Sequence, residues 1–239
     1  MPTVEGAGVE LAYEERGAGP PVLLVHGMGE DRRAWAGVAG ALEDGARAIA
    51  YDRRGYGDSG APEPYQATSV AEQTEDAAAL LSALDARPAV ACGVDLGALV
   101  VIDLLLRHPG AVRAAVLVDP AAFPLVPDAN EALAAERALL ERTLRADGPP
   151  AAVAAWRAAR GRPDVPPATP AAFFADYGGQ ATLPLTRRAL RALTAPIAIL
   201  DTPAAPPHVR AAADALAALL PSAARETAAD PAAAIRALL

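Results

Sequence analysis

The chain contains no lysine. Its 21 basic side chains are all arginine, set against 29 acidic ones, for a net charge of -8. A phosphate backbone needs a basic face, so this balance argues against a nucleic-acid partner. Cysteine occurs once, at Cys92, which excludes an internal disulfide; the residue is expected to pack as a small buried hydrophobe. No run of 18 apolar residues exists, so no membrane span is expected. The first residues, Met1-Pro2-Thr3-Val4-Glu5, lack a basic stretch followed by an apolar one, which predicts no signal peptide and a cytosolic chain. The 3 histidines and single cysteine have no metal-ligand spacing. No phosphate-binding glycine fingerprint is present either, so neither a metal nor a nucleotide cofactor is expected. What is abundant is alanine, which together with the arginine bias fits the codon usage of a GC-rich genome. With 53% hydrophobic and 21% charged residues over 239 positions, the chain is neither disordered nor fibrous and can bury one large core.

Along the chain, strand and helix patterns alternate. Val9 to Arg16 alternates apolar and polar, as a half-exposed strand does. Pro21 to Val25 is short and wholly apolar, the pattern of a buried parallel strand, and ends in His26-Gly27-Met28-Gly29. An amphipathic helix is predicted over Asp31 to Leu42, a strand over Ala46 to Tyr51 and a helix over Ser69 to Leu84. Ala89 to Cys92 reads as strand and Ala98 to His108 as helix, stopped by Pro109. Val112 to Val118 and Pro196 to Leu200 are further buried strands, Val209 to Leu220 a helix, Ala223 to Thr227 a weak strand and Asp230 to Leu239 a last helix. Buried strands alternating with helices predict an α/β fold: a mostly parallel sheet with helices on both faces. The alternation breaks from Ala121 to Thr194, which is helical and proline-rich and carries Phe123, Trp156, Phe173, Phe174 and Tyr177. We therefore expect a core of residues 1–120 and 195–239 with a small helical cap, 121–194, over the carboxyl ends of the strands, where such folds bind ligands.

The segment that carries chemistry is Gly93-Val94-Asp95-Leu96-Gly97, between a strand and a helix. This is the context of a nucleophile elbow, G-x-S-x-G, in which the central residue occupies a strained turn. Side chains two positions either side would collide with the neighbouring strand and helix, hence the glycines. Here the centre is aspartate. Together with His26-Gly27, the loop Tyr51 to Gly60 (Y-D-R-R-G-Y-G-D-S-G) and Arg107 to Ala121, the elbow resembles the α/β-hydrolase superfamily over essentially the whole chain. The resemblance implies that Asp95 holds the nucleophile position and that the backbone N–H groups of Met28 and Leu96 form an oxyanion hole. An aspartate there is what epoxide hydrolases and haloalkane dehalogenases use. The carboxylate forms an ester with the substrate, and a histidine-activated water hydrolyses it.

The departures concern that second step. The family's catalytic histidine precedes the last helix, but Ala223 to Pro231 contains none. His208, at the start of the helix after the Pro196 to Leu200 strand, is either a stand-in base or a plain helix start. Asp119 and Asp201 are the candidate third members. Glu226 and Asp230 could activate water or be a solvated charge and a helix cap. His26 is expected to orient the oxyanion loop, His108 to cap a helix, and Arg53 and Arg54 to brace their loop or meet an anion. Leu96 and Met28 stand where dehalogenases place halide-binding Trp and Asn. Trp156, Phe173, Phe174 and Tyr177 are candidate walls for a small-molecule substrate or packing of the cap. Three functions remain open: a hydrolase of an epoxide, halide or ester with a degenerate triad; a lyase or isomerase using Asp95 as acid or base; and an inactive relative that binds a small molecule or a partner protein.

Overall fold

The alternating residues of the buried strands divide between two cores, one on each face of a single sheet. In the computed structural model, which describes residues 1–162, 169–227 and 230–239, β3 (Pro21–Val25) sends Leu23 and Val25 to one core and Val22 and Leu24 to the other. The same division holds in β4 (Arg47–Tyr51) and in β5 (Ala89–Val94), whose Cys92 packs beside Val22, Leu24 and Trp35. Burial pushes the Cys92 thiol pKa up, which keeps it an uncharged apolar filler.

The sheet has 8 strands in the order β1-β2-β4-β3-β5-β6-β7-β8, where β1 is Thr3–Glu5, β2 Glu10–Arg16, β6 Val112–Val118, β7 Ile197–Asp201 and β8 Ala223–Thr227. β2 runs antiparallel to β1 and β4, and all other pairings are parallel. α1 (Ala36–Leu42) and α8 (Pro231–Leu238) supply Leu42 and Ile235 to one face. α2 (Val70–Ala83), α3 (Leu96–Arg107) and α7 (Pro207–Ala217) cover the other. Ser69 caps α2 and exchanges hydrogen bonds with Glu72, a capping box.

Strand order reverses between β3 and β5, so the loops leaving them diverge and a crevice opens between their carboxyl ends. That crevice brings His26–Gly29 next to Asp95. Between β6 and β7 the chain leaves the sheet for an insert holding α4 (Asn130–Ala159), α5 (Pro170–Gly179) and α6 (Arg187–Ala192). α4 is broken at Gly148, whose φ of 82° and ψ of 179° suit glycine, and Pro149 and Pro150 follow.

The predicted helix over Asp31 to Leu42 is in fact two pieces. Asp31 accepts from the Arg33 N–H and caps a tight turn at Arg32–Trp35, and α1 starts only at Ala36. The short strand β1 lay outside the sequence reading, because three residues are too few to show a period.

Candidate active site

Asp95 sits at the end of β5 with φ 54° and ψ -116°, a conformation that costs a non-glycine residue of the order of 1–3 kcal/mol. The glycines around it are dictated by contact. A Cβ on Gly93 would lie 2.3 Å from the Gly97 carbonyl oxygen, and one on Gly97 would lie 2.4 Å from that of Val25. The elbow can therefore close only with hydrogen at both positions.

The His26–Gly29 loop is held from behind. His26 is fully buried, and its Nε2 accepts the Arg53 N–H at 2.9 Å, which places the ring proton on Nδ1, 2.8 Å from the Gly27 carbonyl. Burial, reinforced by the Arg53 charge, lowers the His26 pKa well below 6.5, so the ring stays neutral. Arg53 donates from Nε to the His26 carbonyl at 3.0 Å and from Nη2 to that of Gly27 at 2.8 Å. Its guanidinium also meets Asp176 of α5 at 2.8 Å. Asp176 accepts from Tyr56 Oη at 2.6 Å and from Gln73 Nε2 at 2.8 Å. Arg54 is a brace, bidentate to Asp76 at 2.6 and 2.9 Å. So Arg53, on the loop after β4, fixes the His26–Gly29 loop and is itself anchored to the insert.

At the pocket, the Met28 N–H donates to Asp95 Oδ2 at 3.2 Å. Among the described residues, Asp95 Oδ1 is buried and takes no hydrogen bond; Arg160 Nη1 lies 3.7 Å away. Leu96, the other implied oxyanion residue, is fully buried and follows Asp95 as the first residue of α3. Arg160 follows the C-terminus of α4, and its guanidinium is 4.7 Å from the ring centroids of both Phe123 and Trp156. Arg160 Nη2 pairs with Glu136 at 2.7 Å, and Glu136 Oε1 is 2.8 Å from His208 Nε2. Burial opposes ionisation of Glu136, but the hydrogen bonds from His208 and Arg160 and the Arg160 charge more than offset it and lower its pKa. Arg162 pairs with Glu30 at 2.6 Å, and Glu30 also accepts the Gly27 N–H at 3.0 Å. Burial raises the Glu30 pKa against that pairing. Met28, Asp95, Asp119, Trp156, Arg160, Arg162, Val209 and Arg157, whose pKa burial lowers, line a cavity of only about 10 Å³, room for about one water.

The structure thus brings Met28, Leu96, Asp119 and Trp156 to Asp95. It places the other sequence candidates elsewhere. The His208 ring faces Glu136 and packs on Phe123 at 5.6 Å, so among the described residues it pairs with a carboxylate of the insert rather than with Asp95. Asp201 is held by Arg225 at 2.9 Å and Arg210 at 3.3 Å, on the far edge of the sheet. Asp119 is engaged by Thr202, through the backbone N–H at 2.9 Å and the hydroxyl at 2.8 Å, and burial raises its pKa. Phe173 is fully buried against Trp156, 5.1 Å between centroids, with Phe174 beside it. Tyr177 lines a second cavity on the other side of Phe123. His108 contacts Glu75 at 3.1 Å, Asp230 caps α8 through the Ala232 N–H at 3.0 Å, and Glu226 is exposed. Of the loop before α8, Ala228 and Ala229 lie outside the described residues. Sequence reasoning missed Glu30, Glu136, Arg157, Arg160 and Arg162. The run Trp156-Arg157-Ala158-Ala159-Arg160-Gly161-Arg162 carried a signal, since Arg157 and Arg160, three apart, share a helical face.

An Asp on a strained strand-to-helix turn, a backbone donor from a neighbouring loop and a helical insert over the sheet's carboxyl end define an α/β-hydrolase. The family model described as alpha/beta hydrolase fold matches residues 20–160, more than half of the chain, and the chain belongs to that family. It is 33% identical over 135 residues to the Bacillus subtilis protein named uncharacterized hydrolase YraK, covering 56% of this chain and 49% of that one. It is 37% identical over 124 residues to epoxide hydrolase A of Mycobacterium tuberculosis, covering 51% of this chain and 38% of that one. The chain thus spans under half the length of these curated relatives. Among solved structures it resembles a thermophilic esterase from Thermogutta terrifontis, with TM-score 0.72, 26% identity, and 95% and 89% of the two chains covered. No helix among the described residues is long and apolar enough to cross a membrane.

Proposed function

We propose that the protein is a hydrolase-family enzyme that attacks a small electrophilic substrate, an epoxide or alkyl halide, with the Asp95 carboxylate. The observation that supports this reading is the asymmetry of that carboxylate. Oδ2 is held by the Met28 N–H, while Oδ1 is free of hydrogen bonds. In the step, Oδ1 attacks the electrophilic carbon and forms a C–O ester bond. The carbon–halogen or ring C–O bond breaks, and its electron pair leaves on halide or alkoxide. Arg160 is positioned to offset that charge, a role that Leu96 and Met28 cannot fill with their side chains. Hydrolysis of the ester needs a water and a base. The neighbouring carboxylates of Asp119 and Glu30 are engaged by Thr202 and by Gly27 and Arg162, so we expect the second step to be slow and the ester to accumulate. The 121–194 segment acts as the cap that must shift to admit substrate.

The test is intact-mass measurement after incubation with 1,2-epoxyhexane and with 1-bromohexane, alongside Asp95→Ala. The expected result, on the wild type alone, is an adduct of one whole epoxide (a hydroxyhexyl ester) with the first and of one hexyl group with the second, bromide having left. Neither adduct nor product would overturn the reading. The small cavity favours a second one, in which Asp95 is a fixed counter-ion for Arg160 and the protein binds a ligand or partner without turnover.

A further inference from the structure

Arg160 is shared between two carboxylates, and the sharing is uneven. Its Nη2 lies 2.7 Å from Glu136 Oε2, while its Nη1 lies 3.7 Å from Asp95 Oδ1, beyond hydrogen-bond reach. Among the described residues no other carboxylate pairs with Arg160. Phe123 and Trp156 flank the guanidinium, each with a ring centroid at 4.7 Å. The void of about 10 Å³ that both Arg160 and Asp95 line leaves slack for the guanidinium to approach Asp95.

Glu136 is itself held. Its Oε1 faces His208 Nε2 at 2.8 Å, and His208 stands on α7, outside the insert. Against the cost of burial, the hydrogen bonds from His208 and Arg160 and the Arg160 charge keep Glu136 ionised. Its negative charge therefore competes with that of Asp95 for one cation, and at these distances it wins. The outcome matters for chemistry at Asp95. A hydrogen bond from a cation is about twice as strong as a neutral one, and an oxygen that accepts one must give it up before its lone pair can turn to carbon.

We propose that Glu136 is a positioning residue that holds Arg160 back from Asp95 and so keeps Oδ1 without a hydrogen bond. The effect on rate rests on the proposed attack by Asp95, whereas the placement of Arg160 does not.

The experiment pairs a spectrum with a rate in Glu136→Gln, Arg160→Met and the double variant. In protein carrying 13C-labelled aspartate, the Asp95 Cγ resonance is the one lost in Asp95→Ala. Glu136→Gln leaves Arg160 buried without its closer counter-ion, so the guanidinium should close on Oδ1 to roughly 2.9 Å and shift that resonance. In the Arg160→Met background the same substitution should move it far less. Adduct formation with 1-bromohexane should slow about tenfold in Glu136→Gln, the worth of one charge-assisted hydrogen bond, and should not slow further when the substitution is added to Arg160→Met. Glu136→Met, uncharged and similar in length, should repeat both results, so a folding failure of one variant leaves the other decisive. An Asp95 resonance unmoved by either substitution, one moved equally with and without Arg160, or an adduct rate that Glu136→Gln leaves unchanged would overturn the proposal. The resonance is read without substrate, so a wild type that forms no adduct overturns the proposed reaction and not the placement of Arg160.

Discussion

Replacing Asp176 should loosen the insert and the oxyanion loop together. Asp176 is fully buried, and its carboxylate satisfies Tyr56, Gln73 and Arg53, the last only 1% exposed. In Asp176→Ala the Arg53 charge stays buried without its counter-ion, and two polar hydrogens lose their acceptor. Breaking one partner of such a pair costs about 3–5 kcal/mol, against a total stability of roughly 5–15 kcal/mol for a domain. Urea titration reads this directly, because Trp156 reports the insert and Trp35 the sheet. With a denaturant slope of about 2–3 kcal/mol/M the midpoint should fall by about 1–2 M. Removing both charges in Arg53→Met with Asp176→Ala should cost less than the two single losses added, with a coupling of about 2 kcal/mol or more. A single-variant loss under about 1 kcal/mol, or additive losses, would refute the reasoning.

Two further outcomes follow from the site's framework. His26 has its pKa lowered by burial and by Arg53, so below about pH 6.5 the unfolded chain takes up a proton that the folded one resists. Stability should fall as pH drops from about 6.5, by up to about 1.4 kcal/mol per pH unit; His26→Gln should flatten that slope in urea midpoints taken between pH 7 and 5, and parallel slopes would count against it. Gly97→Ala sets a Cβ 2.4 Å from the Val25 carbonyl oxygen; at about 3 kcal/mol of overpacking the melting temperature should drop by about 6–12 °C, and an unchanged melt would contradict the contact argument.

The parts of the molecule that could be read in advance are those where chemistry repeats locally. Pro21 to Val25, Val112 to Val118 and Ala223 to Thr227 form strands with the predicted ends, because each run is bounded by turn residues and belongs to one period. The elbow was legible for the same reason: glycines spaced about one residue report a steric limit that needs no distant partner. The pairings over Asp95 were not legible. Glu136 and His208 are 72 positions apart, and the contact between them exists only because the chain returns α4 to the start of α7. Nothing in the period of either helix encodes that approach. The same holds for Asp201, whose position at the end of β7 suited a triad member but whose oxygens go to Arg225 and Arg210.

The backbone at residue 95 has a consequence for how this chain would drift under selection. At φ 54° and ψ -116° the peptide geometry favours glycine over any residue with a side chain. Asp95→Gly would relieve that strain and also remove a buried carboxylate. A library sorted only for thermal endurance should therefore enrich Asp95→Gly, whereas one sorted for capture of an electrophile should purge it. Asp95 holds this turn against the conformational preference of its own backbone, so under the proposed reaction this position would separate selection for a fold from selection for a use.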